Sequence, residues 1–114
     1  MNKREVGKIY EDKARDYLEK NGYEIVETNF SCKIGEIDII GKNDDYICFI
    51  EVKYRDENSL AKGFYAVNKN KQHKIYKVAQ VYLMTKKLNL NTACRFDVVS
   101  IDGNKVTLFK NAFP

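Results

Sequence analysis

Two carboxylates and one lysine lie in a pair of apolar segments whose composition predicts neighbouring β-strands. Asp38 belongs to the segment Gly35–Ile40, and Glu51 and Lys53 belong to the segment Tyr46–Lys53. Side chains two residues apart on a strand point to the same face, so Lys53 follows Glu51 on one face of the sheet. Carboxylate oxygens are the ligands that Mg²⁺ takes in proteins, and a lysine beside them adds a cationic donor. These residue types predict a divalent-cation site with an adjacent lysine.

The polar segment Gly41–Asp45 between the two strands predicts a β-hairpin. Two antiparallel registers place Asp38 and Glu51 on the same face. In one register they lie directly opposite each other, and Asp44 and Asp45 form a two-residue turn. In the other they are diagonal neighbours across a four-residue turn. In both registers the Cβ atoms lie roughly 5 to 8 Å apart, which allows two carboxylates to share one cation.

An ordinary surface ion pair between Glu51 and Lys53 is the alternative hypothesis, since acidic residues are common on solvated strand faces. Such a pair contributes about 0 to 1 kcal/mol. However, Ile47 and Phe49 lie on the same face of the strand as Glu51, so the residues that precede Glu51 on this face are apolar. A charge on such a face needs a partner or a metal, which favours a functional site.

The elements that must position these residues can be predicted from periodicity and turn signals. They are a helix over Lys3–Asn21, strands over Tyr23–Phe30, Gly35–Ile40 and Tyr46–Lys53, a helix over Lys69–Lys87, and strands over Ala93–Ile101 and Lys105–Lys110. This order predicts an α/β fold with a mixed sheet and helices packed on it. In the first helix, Glu11 lies in the apolar stripe, so it either reaches solvent at the edge of the stripe or points into a site.

Length and composition predict one compact domain over residues 1–114. No apolar run approaches the roughly 20 residues that span a bilayer, and the charged N-terminus does not resemble a signal peptide. Three widely spaced cysteines, Cys32, Cys48 and Cys94, favour buried free thiols in a reducing compartment. A single histidine argues against a structural zinc site. We therefore expect a cytoplasmic protein without a membrane partner.

One long stretch of the chain carries no acid. Between Asn58 and Phe96 there is no Asp or Glu, although the net charge of the whole chain is only +4. The cationic residues of this stretch are Lys62, Lys69, Lys71, Lys74, Lys77, Lys86, Lys87 and Arg95. This asymmetry predicts a polyanionic partner that approaches one side of the molecule. A solvated lysine-rich helix is the alternative.

An acidic residue at the end of one strand, then Glu-x-Lys on the next, with a glutamate on the preceding helix, resembles the PD-(D/E)xK nuclease superfamily. Within it, the chain resembles the YraN-type family of uncharacterised bacterial proteins, which is related to the archaeal Holliday-junction resolvases. The resemblance covers nearly the whole chain. It is carried by Gly7…Glu11, Asn21–Tyr23, Gly35–Asp38, Phe49–Arg55, Lys71…Ala79, Arg95–Val99 and Asn111–Phe113.

The resemblance implies a restriction-endonuclease-like α/β fold, with a mixed central sheet and flanking helices, and a metal-dependent DNA endonuclease. It implies that Asp38 and Glu51 ligate Mg²⁺ or Mn²⁺. It also implies that Lys53 positions or deprotonates the attacking water and that Glu11 assists from the helix. The expected substrate is branched or other non-B-form DNA. A catalytically silent nucleic-acid-binding protein that keeps the nuclease fold is the alternative.

Contacts with DNA are expected from five cationic residues, which are Arg55, Lys69, Lys71, Lys74 and Lys77. Lys71 lies one helical turn before the buried Ile75, so we expect it to face the sheet and to lie nearer the scissile phosphate than the other lysines. Symmetric cleavage of two strands would require a homodimer, which the sequence leaves open.

Overall fold

The structure is a computed structural model that describes residues 2–55 and 67–113. Its helices are α1 (Lys3–Lys20) and α2 (Lys69–Thr85). Its strands are β1 (Glu24–Ser31), β2 (Glu36–Asn43), β3 (Tyr46–Arg55), β4 (Cys94–Asp102) and β5 (Lys105–Phe109). The predicted order of helices and strands is confirmed, and each predicted boundary lies within about two or three residues of the observed one, as expected for helix and strand ends. In the described part of the chain, no helix is long and apolar enough to cross a membrane.

The five strands form one mixed sheet in the order β1-β2-β3-β4-β5. β3 and β4 are parallel, whereas the other neighbouring pairs are antiparallel. Alternate side chains of β3 serve two cores: Cys48 and Ile50 pack with Leu18 of α1, and Phe49 packs with Val78 of α2. The sheet therefore carries one helix on each face, and the predicted α/β class with a mixed sheet is confirmed.

The β2–β3 hairpin adopts the register that, if continued, would set Asp38 directly opposite Glu51, but the paired residues end one pair earlier. Its ladder runs from the Asn43–Tyr46 pair to the Ile39–Ile50 pair, so Asp44 and Asp45 alone form the turn. Both turn residues have positive φ, 51° and 66°, which two-residue hairpin turns require and which Asp tolerates. The two-residue turn, rather than the four-residue turn, is therefore the one present.

The sheet splits between β2 and β3 at one end, which we call the fork. The β2–β3 ladder stops at Ile39 and Ile50, but β2 stays paired with β1 as far as Glu36, and β3 stays paired with β4 as far as Arg55. Ile37 packs in the core on the α2 side and Ile39 in the core on the α1 side, so the alternation of β2 is broken between them. Asp38 lies at this break.

A buried polar network holds the opposite end of the sheet. The Asp97 carboxylate, fully buried, accepts hydrogen bonds from the Tyr23 hydroxyl at 2.7 Å, from Arg95 Nε at 2.9 Å and from the Asn111 amide at 2.9 Å. Arg95 Nη2 in turn donates to Asn43 Oδ1 at 2.7 Å. We call these five residues the far-end network. It ties β2 and β4 to the segments that precede β1 and follow β5.

The three cysteines are free thiols, as predicted. Cys48 is buried, whereas Cys32 and Cys94 are half-buried. Burial, and then the charge of Asp97, raises the pKa of the Cys48 thiol to about 12, so this thiol stays protonated at neutral pH.

Candidate active site

Asp38 is held inside the fork by the backbone of β3. Its Oδ2 accepts a hydrogen bond from the Val52 amide at 2.8 Å. Burial raises the pKa of the Asp38 carboxyl to about 7, and the negative charge of Glu51 adds to this, although the bond from Val52 opposes it. Burial and the neighbouring carboxylates both disfavour the charged form of Asp38, and a bound cation would favour it.

Two further carboxylates meet Asp38 at the fork. Glu11 reaches it from α1 and Glu36 from the first residue of β2, and one oxygen from each of the three acids lies within 4.8 Å of the others. We call Glu11, Glu36 and Asp38 the acidic triad. Of the two positions that the sequence left open for Glu11, the structure has the one in which its carboxylate points towards Glu36 and Asp38.

Asn29 organises two acids of the triad. Its Nδ2 donates to Glu11 at 3.0 and 3.2 Å and to Glu36 at 3.4 Å. Asn29 lies in β1 between the Thr28–Ile39 and Phe30–Ile37 pairs, and is therefore beside Asp38. Its φ is +54°, a conformation that asparagine adopts more readily than most residues. With this backbone conformation, the Asn29 side chain departs from the regular alternation of the strand and its amide reaches Glu11 and Glu36.

Glu51 faces the α2 side of the fork and pairs with a lysine. It is only 5% exposed, and its Oε2 lies 3.4 Å from Lys71 Nζ. Burial raises the pKa of Glu51, although Lys71 and Lys53 lower it in part. The expectation that Lys71 turns towards the sheet is therefore confirmed by its contact with Glu51.

Lys53 and Lys71 interact with each other beside Glu51. Burial lowers the pKa of the Lys53 ammonium, and its hydrogen bond and charge interaction with Lys71 lower it further. For Lys71, burial acts to lower the pKa, but contact with Lys53 and with Glu51 raises it overall. Of the two lysines, Lys53 therefore gives up its proton more readily than Lys71, although Glu51 and Asp38 oppose the lowering of its pKa.

The residues predicted to contact DNA occupy three kinds of position. Lys69, Lys74 and Lys77 are exposed along α2, whereas Lys71 belongs to the fork. Arg55 is engaged within the protein: its Nε lies 3.5 Å from Asp102 Oδ1, and its side chain is only 19% exposed. Lys62, which also belongs to the acid-free stretch, lies outside the described residues.

Sequence reasoning missed Glu36 and Asn29. Glu36 lies two residues before Asp38 on the same strand, so the same-face spacing already used for Glu51 and Lys53 was an available signal. Asn29 carried no such signal, because its contact with Glu11 depends on how α1 packs against β1. Asp38 links both groups of acids, since it lies in the triad and interacts electrostatically with Glu51.

The acidic triad fits a small oxygen-binding cation. Mg²⁺ has metal–oxygen bonds of about 2.1 Å in octahedral geometry, which places ligand oxygens about 3 Å apart when adjacent and about 4.2 Å apart when opposite. Triad oxygens within 4.8 Å of one another need only a small contraction to reach these distances. The donors are all carboxylate oxygens, the chemistry that Mg²⁺ and Mn²⁺ share.

Fold and site together define a small α/β protein with carboxylates and lysines gathered at the fork of a mixed sheet. The chain belongs to the uncharacterised protein family UPF0102, whose model matches residues 10–101. This confirms the expected YraN-type family, and the matched range contains Glu11, Asp38, Glu51 and Lys53.

Individual relatives are similar over nearly their whole length. The chain is 47% identical to a UPF0102 protein of Clostridium tetani, covering 96% of this chain and 94% of the relative. It is 42% identical to a UPF0102 protein of Lachnoclostridium phytofermentans, covering 99% and 96%. It is 44% identical to the UPF0102 protein FN1370 of Fusobacterium nucleatum, covering 97% and 92%. These names state a family and no activity.

Proposed function

We propose that the protein is a metal-dependent DNA endonuclease with a restriction-endonuclease-like fold of the PD-(D/E)xK type. The observation that carries the proposal is the fork, where Asp38 meets Glu51 and Lys53 at the point at which β2 and β3 separate. Two further features agree with a nuclease of this type. The mixed sheet carries a helix on each face, and the first helix supplies a glutamate.

The acidic triad, with Glu51 beside it, would hold Mg²⁺ or Mn²⁺. When bound, such a cation supplies a water of lowered pKa and offsets the negative charge of the phosphate. Asn29 keeps Glu11 and Glu36 oriented, and the Val52 amide keeps Asp38 oriented. The acids are therefore held by the protein before any ligand arrives, which reduces the cost of assembling the site.

Lys53 is suited to act as the general base. Its pKa is lowered by burial and by Lys71, so its neutral amine can accept a proton from the attacking water. The water oxygen forms a bond to phosphorus, and one water proton passes to Lys53 Nζ. The bond from phosphorus to the leaving oxygen breaks, its electron pair stays on that oxygen, and the oxygen takes a proton from solvent to become a hydroxyl. Lys71, which stays protonated beside Glu51, faces the developing negative charge on the phosphate.

We further propose branched or other non-B-form DNA as the substrate, and this part depends on the resemblance to the Holliday-junction resolvases. Each chain contributes one acidic triad, so symmetric cleavage of a two-fold substrate would use a homodimer. The exposed lysines 69, 74 and 77 on α2 support a polyanionic substrate, because they lie on the helix that also supplies Lys71 to the site.

One observation favours the second candidate function, a catalytically silent nucleic-acid-binding protein. The ion pair between Lys71 and Glu51 occupies a carboxylate oxygen that a metal would otherwise take. If this pair persisted in the presence of Mg²⁺, the cationic surface would bind DNA without cutting it.

The test is incubation of the purified protein with labelled junction, flap, duplex and single-stranded DNA, with and without Mn²⁺. We expect cleavage that requires the metal and is lost in Asp38→Asn. The matched control is Asp16→Asn, which changes an exposed acid of α1 outside the triad. Binding without cleavage by the wild type would favour the silent nucleic-acid-binding protein, and neither binding nor cleavage would overturn both candidates.

A further inference from the structure

The N-terminal half of α1 forms a second cationic surface at the fork, on the face of the sheet opposite α2. A cleft of about 460 Å³ runs between this half-helix and the ends of β1 and β2. Its cationic lining residues are Lys3, Arg4, Lys8 and Arg15, and its acidic lining residues are Asp12 and, from the acidic triad, Glu11 and Glu36. We call Lys3, Arg4 and Lys8 the α1 flank.

The position of the α1 flank next to the site is set by aromatic packing. The Tyr10 ring stacks on the Tyr54 ring with centroids 4.3 Å apart, and Tyr54 directly follows Lys53 in β3. A Cβ added at Gly7 would lie 3.7 Å from the Tyr54 hydroxyl oxygen, so α1 passes close to the end of β3. The first two turns of α1 therefore lie beside the fork.

Among the described residues, the cations of the α1 flank form no contact that would make them important for folding. Lys3 and Arg4 are exposed and form no ion pair within residues 2–55 and 67–113. Lys8 lies 3.8 Å from Asp12, but both side chains are largely exposed, so this pair is weak.

We infer that the α1 flank contacts the phosphates of the DNA strand on one side of the scissile bond, while α2 contacts the strand on the other side. This inference rests on the proposed nuclease function. The fork lies between two helices on opposite faces of the sheet, so a strand whose scissile phosphate reaches Asp38 continues towards both. The occupant is a polyanion because Lys3 and Arg4 are exposed cations at the cleft with no ion pair among the described residues, and charge complementarity steers such a partner.

The test compares two triple variants with equal loss of charge. The α1 variant carries Lys3→Gln, Arg4→Gln and Lys8→Gln. The control carries Lys20→Gln, Lys42→Gln and Lys87→Gln, three exposed lysines at helix and strand ends away from the fork. Circular dichroism and thermal melting establish that both variants fold.

Binding of a labelled single-stranded oligodeoxynucleotide and of its duplex is measured in EDTA over a series of salt concentrations. Removing one phosphate-binding cation should reduce the slope of log affinity against log salt by about 0.7 for single strands and about 0.9 for duplex DNA. We expect the slope of the α1 variant on single strands to fall by about 2, and that of the control variant to fall much less. In cleavage assays with Mn²⁺, the α1 variant should show a raised KM and a nearly unchanged kcat.

Equal slopes and affinities for the two variants would overturn the inference, because the flank would then act only through net charge. Metal-dependent cleavage by the wild type in that case would leave the nuclease proposal standing. If the wild type neither binds nor cleaves DNA, the nuclease proposal and the inference both fail. A selective effect of the α1 variant on binding, in a protein that does not cleave, would support the flank as a DNA surface of a silent binding protein.

Discussion

The Asp38 carboxylate accepts a hydrogen bond from the Val52 amide at 2.8 Å, across the gap where β2 and β3 separate. Val52 lies between Glu51 and Lys53, so this bond positions Asp38 relative to both. A continued β2 would have offered a backbone carbonyl to this amide, and Asp38 takes the place of that acceptor. The strands can therefore part without an unpaired amide, and the site forms where the sheet stops being regular.

Metal binding should stabilise the protein through the acidic triad. Mg²⁺ or Mn²⁺ at about a hundredfold excess over its dissociation constant should raise the free energy of unfolding of the wild type by about 2.7 kcal/mol. Asp38→Asn should lose most of this gain, whereas Asp16→Asn on the exposed side of α1 should retain it. Differential scanning calorimetry measures the change. The same metal-induced increase in Tm in Asp38→Asn would show that the cation binds elsewhere.

The metal-free protein should become less stable as the pH rises from about 4 to about 7. The pKa of Asp38 is about 7 in the folded chain against an ordinary value of 3.8, so the folded state keeps a proton that the unfolded state loses. This contribution is fully present below the unfolded pKa and lost as the pH passes the folded one, by at most about 1.4 kcal/mol per pH unit. Urea unfolding in EDTA at a series of pH values measures it. Asp38→Asn should show a flatter profile, and identical profiles would contradict the raised pKa.

Lys53→Ala should separate chemistry from binding. Loss of a general base should reduce the cleavage rate by about a hundredfold or more, while affinity for metal and DNA stays near that of the wild type. Single-turnover cleavage and DNA titration report the two quantities separately. Lys20→Ala, at the end of α1, is the matched control. Unchanged cleavage by Lys53→Ala would make this lysine only a partner of Glu51.

The exposed lysines of α2 should contribute to DNA affinity and little to stability. The triple variant Lys69→Ala, Lys74→Ala, Lys77→Ala should keep a near-normal Tm, because these side chains are solvated. Its salt slope on duplex DNA should fall by up to about 2.7, equally for all sequences, since phosphate contacts carry no sequence information. A slope parallel to that of the wild type would show that this face is merely solvated.

Lys71 should behave differently from the other lysines of α2. It pairs with Glu51 at 3.4 Å, so Lys71→Ala should reduce the cleavage rate more than the DNA affinity. The substitution should also leave the Glu51 carboxylate without the lysine that it pairs with. A titration at several salt concentrations, run beside single-turnover cleavage, compares the two losses. An effect confined to affinity would place Lys71 with the exposed lysines.

The far-end network should be a main determinant of stability. Asp97→Ala leaves the Arg95 guanidinium buried without its carboxylate, which should cost about 3 to 5 kcal/mol of unfolding free energy. Asp45→Asn, in the exposed hairpin turn, should cost little, since asparagine tolerates positive φ. Chemical denaturation measures both. The double variant Arg95→Met, Asp97→Leu should lose less than the two single changes combined, and strict additivity would contradict coupling within the network.

The sequence by itself determined the helices, the strands and the common face of Glu51 and Lys53, but not the position of Asp38, because the alternation of β2 breaks there. Alternation along Tyr46–Lys53 and the three-to-four spacing in Lys3–Asn21 reflect local geometry, which the chain carries in its pattern. Helical spacing is local in the same way, so the sequence alone could place Lys71 on the sheet side of its helix and Lys69, Lys74 and Lys77 away from it. Parity also restricted the hairpin to two registers, because a shift by one residue would have moved the Glu51 face out of the core.

Only the tertiary structure decided which of these residues meet. Both registers satisfied parity, and the choice depended on Asp44 and Asp45 adopting positive φ. Glu11 is 18 residues from Asn29, and their contact exists because α1 packs on the sheet at one depth and orientation. Arg55 is one of the residues expected to contact DNA, yet its partner is Asp102, which is distant in sequence but adjacent in the β3–β4 ladder. Such contacts arise from non-local packing, which a one-dimensional pattern does not encode.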